Sequence, residues 1–157
     1  MLINYTFNEE TATELAGTEF EGPFDCVTVR LYKCFEISDE ENYGETKKVC
    51  RTVAFVVTED YVDHIEMRSA FSSYIEAREY FEFIRKKLFG SAPIIYLESI
   101  PYKTSSQLFY AGLKTLADIN SATDARLLAI KGIGPASLKK LRNSISDLQT
   151  KLLYSDE

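Results

Sequence analysis

The residues with the clearest chemical potential are Lys131, Gly132, Gly134, Ser137, Lys139, Lys140 and Arg142, all inside the stretch LLAIKGIGPASLKKLR from Leu127 to Arg142. Two glycines one residue apart permit a tight reversal with left-handed backbone and leave no side chain above it. Pro135 suits the first turn of a helix, where its missing N–H is no loss. The next N–H groups lack intrahelical acceptors and stand at the positive end of the helix dipole, an arrangement that binds phosphate. Lys131 before the turn, and Lys139, Lys140 and Arg142 after it, add positive charge within reach of neighbouring phosphates. Ile133, between the glycines, is the natural apolar plug into the core beneath. The chemistry predicted here is capture of a polyanion backbone, not bond-breaking.

Helices must hold that turn in place, and the flanking sequence supplies their start and stop signals. SSQLFYAG reads as a short helix ended by Gly112. TLADIN reads as a second, with Thr115 and Asp118 in a near capping-box arrangement, and Thr123 caps a third that runs through Ile130. Pro135 opens the fourth, in which Leu138, Leu141, Ile145, Leu148 and Leu152 recur at three and four residues as one apolar stripe.

On these residues, LLAIKGIGPASLKKL is similar to the helix-hairpin-helix motif of DNA-binding and DNA-processing proteins. The longer stretch from Pro101 to Ile145 resembles the C-terminal domain of the bacterial RNA polymerase alpha subunit, a helical fold that binds the DNA minor groove and transcription activators. The resemblance implies backbone contacts by Lys103, Gly134 and Ser137. Three positions depart from that pattern: Ala136 stands where the family has lysine, Gly132 where it has asparagine, and Tyr110 where it has a basic residue. Residues 1–100 show no such likeness.

In that remaining part, FDCVTVRLYKCFEI and KVCRTVAFVV alternate apolar and polar residues as half-buried strands. With the polar SDEENYGETK between them they predict an antiparallel hairpin with a long acidic loop. YVDHIEMRSAF reads as a third strand. Ser73 and Glu76 form a capping-box signature for a helix over Tyr74 to Leu88, with Lys86 and Lys87 in its last turn and Gly90 closing it. Within Met1 to Phe20, LINYTF fits an edge strand and EETATELAG a short helix. The glycine and two prolines of GSAPIIYLESIPY mark a boundary. The expected fold is thus an α+β N-terminal domain (1–92), an antiparallel sheet plus covering helix, then a linker (93–102) and a small all-α helix-hairpin-helix domain (103–157).

Charge divides along the same line. Residues 1–102 hold 10 Lys+Arg against 19 Asp+Glu, a net −9, whereas residues 103–151 hold 8 against 3, a net +5. Such asymmetry points to nucleic-acid contact by the basic half. The negative half repels a phosphate backbone, so the aromatics Tyr32, Phe55, Tyr80, Phe81 and Phe83 are expected in a core or protein interface. Asp60, Asp63, His64 and Glu66 resemble a metal cluster only loosely and read as a solvated edge strand. Cys26, Cys34 and Cys50 form no CxxC pair and read as reduced, half-buried residues. There is no apolar run long enough for a membrane helix, and the N-terminus has acidic residues where a secretory signal carries positive charge, so a cytoplasmic protein is expected. No phosphate-loop or nucleophile motif is present. These readings together predict a non-enzymatic accessory protein without metal or cofactor. Its C-terminal part binds nucleic acid, duplex DNA first, weakly and with strong salt dependence, while its N-terminal part meets a protein partner or itself. The alternative is a protein-interaction adaptor whose helical hairpin only docks proteins.

Overall fold

The structure, a computed structural model, describes residues 1–20, 27–61, 66–94, 97 and 99–153. Its most extended feature turns on two residues. Tyr43 (φ 51°) and Gly44 (φ 82°) both take the left-handed conformation, as a two-residue hairpin turn of the twist-compatible type requires. They join β3 (Val27–Asn42) to β4 (Glu45–Tyr61), paired antiparallel from Val27↔Tyr61 to Asn42↔Glu45. The expected acidic loop is therefore strand. Opposite charges sit directly across from one another at Glu36↔Arg51, Asp39↔Lys48 and Glu40↔Lys47, and Arg51 pairs diagonally with Glu40. Cross-strand pairs of this kind each contribute about 0.2–1 kcal/mol.

Only the base of this hairpin is built into a larger sheet. β2 (Ala12–Phe20) pairs with β3 as far as Ala12↔Cys34, and β5 (Glu66–Phe71) pairs with β4 as far as Phe55↔Phe71. β1 (Leu2–Ile3) closes the far edge on β5, giving one antiparallel sheet in the order β1-β5-β4-β3-β2. Past a bulge at Cys34/Phe35, the strands pair only with each other among the described residues, as a two-stranded arm with exposed faces. The short helix expected in EETATELAG is reduced to one 3-10 turn, Glu9–Thr11, before β2 begins. Ala16, Thr18 and Phe20 are buried alternately, so sheet pairing overrides the helical preference of Ala, Glu and Leu.

Both faces of the sheet are covered. On one, Cys34, Ala54, Val56 and Ala70 meet Ile3, Tyr5, Phe7, Ala12 and Tyr32. Burial pushes the Cys34 thiol and the Tyr5 hydroxyl up. On the other lies α1 (Tyr74–Ser91), which starts where the capping signature puts it, with Ala77 N–H bonding Ser73 O. Tyr74 packs on Phe55 and Tyr80 on Phe71, while Phe81 is fully buried. Phe83, by contrast, is exposed. Here the Tyr61 hydroxyl donates to the buried Glu59 carboxylate (2.9 Å). Burial and that carboxylate push Tyr61 up to about 12.

Helices α2 (Tyr102–Tyr110), α3 (Leu116–Ser121), α4 (Asp124–Leu128) and α5 (Pro135–Leu153) follow the sheet. They do not make the distinct all-α C-terminal domain expected from the sequence. The chain divides into Met1–Ile84 and Arg85–Glu157, so the second unit begins inside α1. Fully buried Arg85 donates to Leu152 O (2.7 Å) near the end of α5, and Gly90 lies within α1, where a Cβ would meet the Ala117 side chain at 3.2 Å. Gly90 is thus a packing glycine, not a helix stop. The stretch read as a linker buries Ile94, Leu97 and Ile100 and carries a β-bridge, Pro93↔Thr115, with bonds Ile94 N–H to Lys114 O and Leu116 N–H to Ala92 O. Pro93 sits in that bridge and Pro101 is the N-cap of α2, both inside a packed segment. No helix among the described residues is long and apolar enough to cross a membrane.

Replacing Phe81 by Ala is expected to cost about 3–5 kcal/mol in denaturant unfolding. Shortening the arm by joining Ile37 to Cys50 through a two-residue turn is expected to leave stability within about 1 kcal/mol, because that arm buries little.

Candidate nucleic-acid interface

The glycine turn is built from local signals that all take effect. α2 ends in a Schellman motif: Gly112 adopts φ 85°, its N–H bonds Phe109 O, and Leu113 N–H bonds Leu108 O. α3 opens on a complete capping box, with Asp118 N–H bonding Thr115 Oγ1 and the Asp118 carboxylate accepting from the N–H groups of Thr115 (3.0 Å) and Lys114 (2.9 Å). Those backbone donors hold the Asp118 carboxyl below its ordinary value of 3.8. Thr123 Oγ1 caps α4 through Arg126 N–H. Beneath the turn, Leu108, Leu113, Leu116, Ile119, Leu127 and Leu141 are buried to 2% exposure or less, and Ile133 plugs in beside them.

The two glycines do different work. Gly132 takes φ 92°, and a Cβ there would stand 2.8 Å from Gln107 Oε1 and 2.9 Å from its Cδ. Gly134 is not left-handed, and nothing lies within 4 Å of where its Cβ would be. Its carbonyl accepts the first intrahelical bond of α5, from Leu138 N–H (2.9 Å). Gly134 is therefore the N-cap, Pro135 has no N–H to satisfy, and the N–H groups of Ala136 and Ser137 precede the intrahelical ladder. A helix start of this form presents backbone donors and a positive partial charge.

Of the residues picked from the sequence, Lys131 and Gly132 are exposed at the turn, Gly134 and Ser137 are half-buried at its rim, and Lys139 and Lys140 are exposed on the first turns of α5. Lys103, also exposed, lies four residues before Gln107 on α2, hence on the helix face that reaches Gly132. Arg142 is not a free charge. Its guanidinium donates to Ile119 O (3.0 Å), Ala122 O (2.7 Å) and Asp124 Oδ1 (3.2 and 3.0 Å), so it serves the scaffold. Gln107 was not singled out from sequence; only its i, i+4 spacing from Lys103 on a helix already placed could have drawn attention to it. Asp60 pairs with Arg30 (3.2 Å) rather than with other acids. Asp63, His64 and Cys26 lie outside the described residues, while Cys50 is exposed.

The unit boundary sharpens the charge contrast. Met1–Ile84 holds 7 Lys+Arg and 18 Asp+Glu, a net −11, whereas Arg85–Glu157 holds 11 and 6, a net +5. No family model, curated protein or solved structure matches this chain.

Arg142→Ala is expected to destabilise the chain by roughly 2 kcal/mol, since it removes the donor to Ala122 O and one of two donors to Ile119 O, while Lys139→Glu with Lys140→Glu stays within about 0.5 kcal/mol in the same denaturant titration. Asp118 titrates lower in the folded state than in the unfolded one. Its stabilisation is complete above the ordinary carboxylate value and is lost as pH falls through the lowered one. Asp118→Asn should therefore be less stable than the parent at neutral pH, with the gap narrowing under acid in denaturation curves taken at stepped pH.

Proposed function

We propose that this chain is a non-enzymatic accessory protein of the cytoplasm that binds nucleic-acid backbone, duplex DNA first, without reading sequence. The observation that carries this reading is the open helix start at Gly134, Ala136 and Ser137, ringed by exposed Lys131, Lys139 and Lys140 in a unit of net +5. The likeness of Pro101 to Ile145 to a DNA-binding helical fold supports it, with Lys103 as a further backbone contact. Arg142 drops out of the contact set because its hydrogen bonds are spent within the fold. With about three to five phosphate contacts, the affinity should lie at roughly 10⁻⁴ to 10⁻⁶ M and fall steeply with salt. The acidic unit Met1–Ile84 then serves a protein partner or a second copy, which would raise occupancy by avidity.

A second reading, a protein-interaction adaptor, draws on the β3–β4 arm. Among the described residues its strand edges past Cys34 and Ala54 have no strand beside them and could pair with another chain. On that reading the basic face of α5 meets an acidic protein rather than a phosphate backbone.

Fluorescence anisotropy of the full chain with a labelled duplex, at low and physiological salt, separates the two. Salt-sensitive binding is expected, weakened roughly ten-fold or more by Lys139→Glu with Lys140→Glu. Gly134→Ala, which the fold has room for, should weaken it too by placing a methyl group over the N–H donors. Absence of salt-sensitive binding to any duplex or single strand would sink the nucleic-acid reading and leave the adaptor.

A further inference from the structure

We infer that the surface beside the glycine turn captures an unpaired nucleobase, so that the preferred ligand is a duplex carrying a single-stranded extension. This rests on the nucleic-acid reading above and names the form of nucleic acid that the site takes. Lys103, Gln107 and Tyr110 follow one another on α2 at spacings of four and three, which makes them one stripe on the helix. The end of Gln107 lies against Gly132, so the stripe meets the turn at Gln107, and Tyr110 follows one helical turn further along it.

Tyr110 is 85% exposed. It is nevertheless supported. The Phe109 ring meets it edge-on, with centroids 5.9 Å apart and planes at 89°, and Lys114 Nζ sits 5.0 Å from the Phe109 centroid. α2 contains no acidic residue, and Lys103 and Lys114 lie toward its two ends. A propped aromatic face among cations, next to a backbone-binding turn, has the parts of a single-strand platform. The ring stacks on a base while amides and lysines hold the adjoining phosphates. Paired bases hide their faces within the duplex stack, so only an unpaired base can use the ring. The aromatics of the sheet offer no equivalent, since they belong to a unit of net −11.

The test uses the full chain and three labelled ligands: a blunt duplex, the same duplex with a short oligothymidine extension, and a longer blunt duplex matched to it in phosphate number. The extension is expected to tighten binding about five-fold or more over the matched blunt duplex. Tyr110→Ala should bring that ratio to unity and Tyr110→Phe should keep it, because stacking needs the ring and not the hydroxyl. The chain has no tryptophan, so Tyr110→Trp provides a sole indole whose emission the extended ligand quenches and the blunt one does not. Equal affinity for extended and matched blunt ligands, or an advantage that survives Tyr110→Ala, overturns the inference and leaves backbone binding by the turn intact. No binding of any ligand by the parent chain overturns the nucleic-acid reading itself, and this inference with it.

Discussion

The Arg142 guanidinium fixes the geometry on which the basic unit depends. Its planar donors reach the carbonyls of Ile119 and Ala122 at the end of α3 and the Asp124 carboxylate at the start of α4. One side chain on α5 thereby ties together the corner that precedes the turn. Carbonyls at a helix end lack the full intrahelical ladder, and a cation there also suits the dipole. With that corner held, α4 can deliver Lys131, Gly132 and Ile133 to one place, and α5 can begin at Pro135 with its first amides uncovered. Replacing the guanidinium by an ammonium would keep the charge but lose the planar fork that serves three acceptors at once.

That assignment also explains why four of the positive charges near the turn are not equivalent. Lys131, Lys139 and Lys140 are exposed and have their charge available to a ligand, whereas Arg142 is partly neutralised by Asp124. The same separation between scaffold and surface appears in the glycines. Gly132 is required by its left-handed backbone, while Gly134 keeps space above the helix start. Architecture and the open helix start are thus carried by neighbouring residues of the same type.

How much of this could be read from the sequence depended on the range of the interaction. Thr115, Asp118, Thr123, Gly112 and Pro135 act on backbone within a few residues of themselves, and each is where its local signal put it. The burial of Ile133 was likewise implied by its place between glycines. The role of Arg142 was not legible, because two of its partners are carbonyls some twenty residues away, and a carbonyl has no signature in sequence. β2 was missed because its buried face uses Ala16, Thr18 and Phe20, only one of them large, and its strand state comes from pairing with β3. The outer part of the arm, SDEENYGETK, read as a loop because both of its faces are polar, which removes the alternation that marks a half-buried strand. The boundary near residue 93 rested on proline and glycine content. The apolar Ile94, Leu97 and Ile100, three residues apart, were the better guide to a packed segment.

The resulting molecule carries two surfaces of opposite character, and their construction differs as much as their charge. The arm is partly compensated from within: three acids on β3 face bases on β4, leaving a net −2 over residues 35–53, so its hydrogen-bonding edges can meet another strand against only a small field. The turn is the reverse. Its lysines are left without carboxylates opposite them on α5, and its helix start adds partial positive charge in the same direction. A field of one sign over an exposed helix start would attract polyanions at a distance and hold them weakly at contact. The exposed ring of Tyr110 beside it cannot add to that field. What it can add is a flat apolar face, which an electrostatic site needs if it is to tell an unpaired base from a paired one.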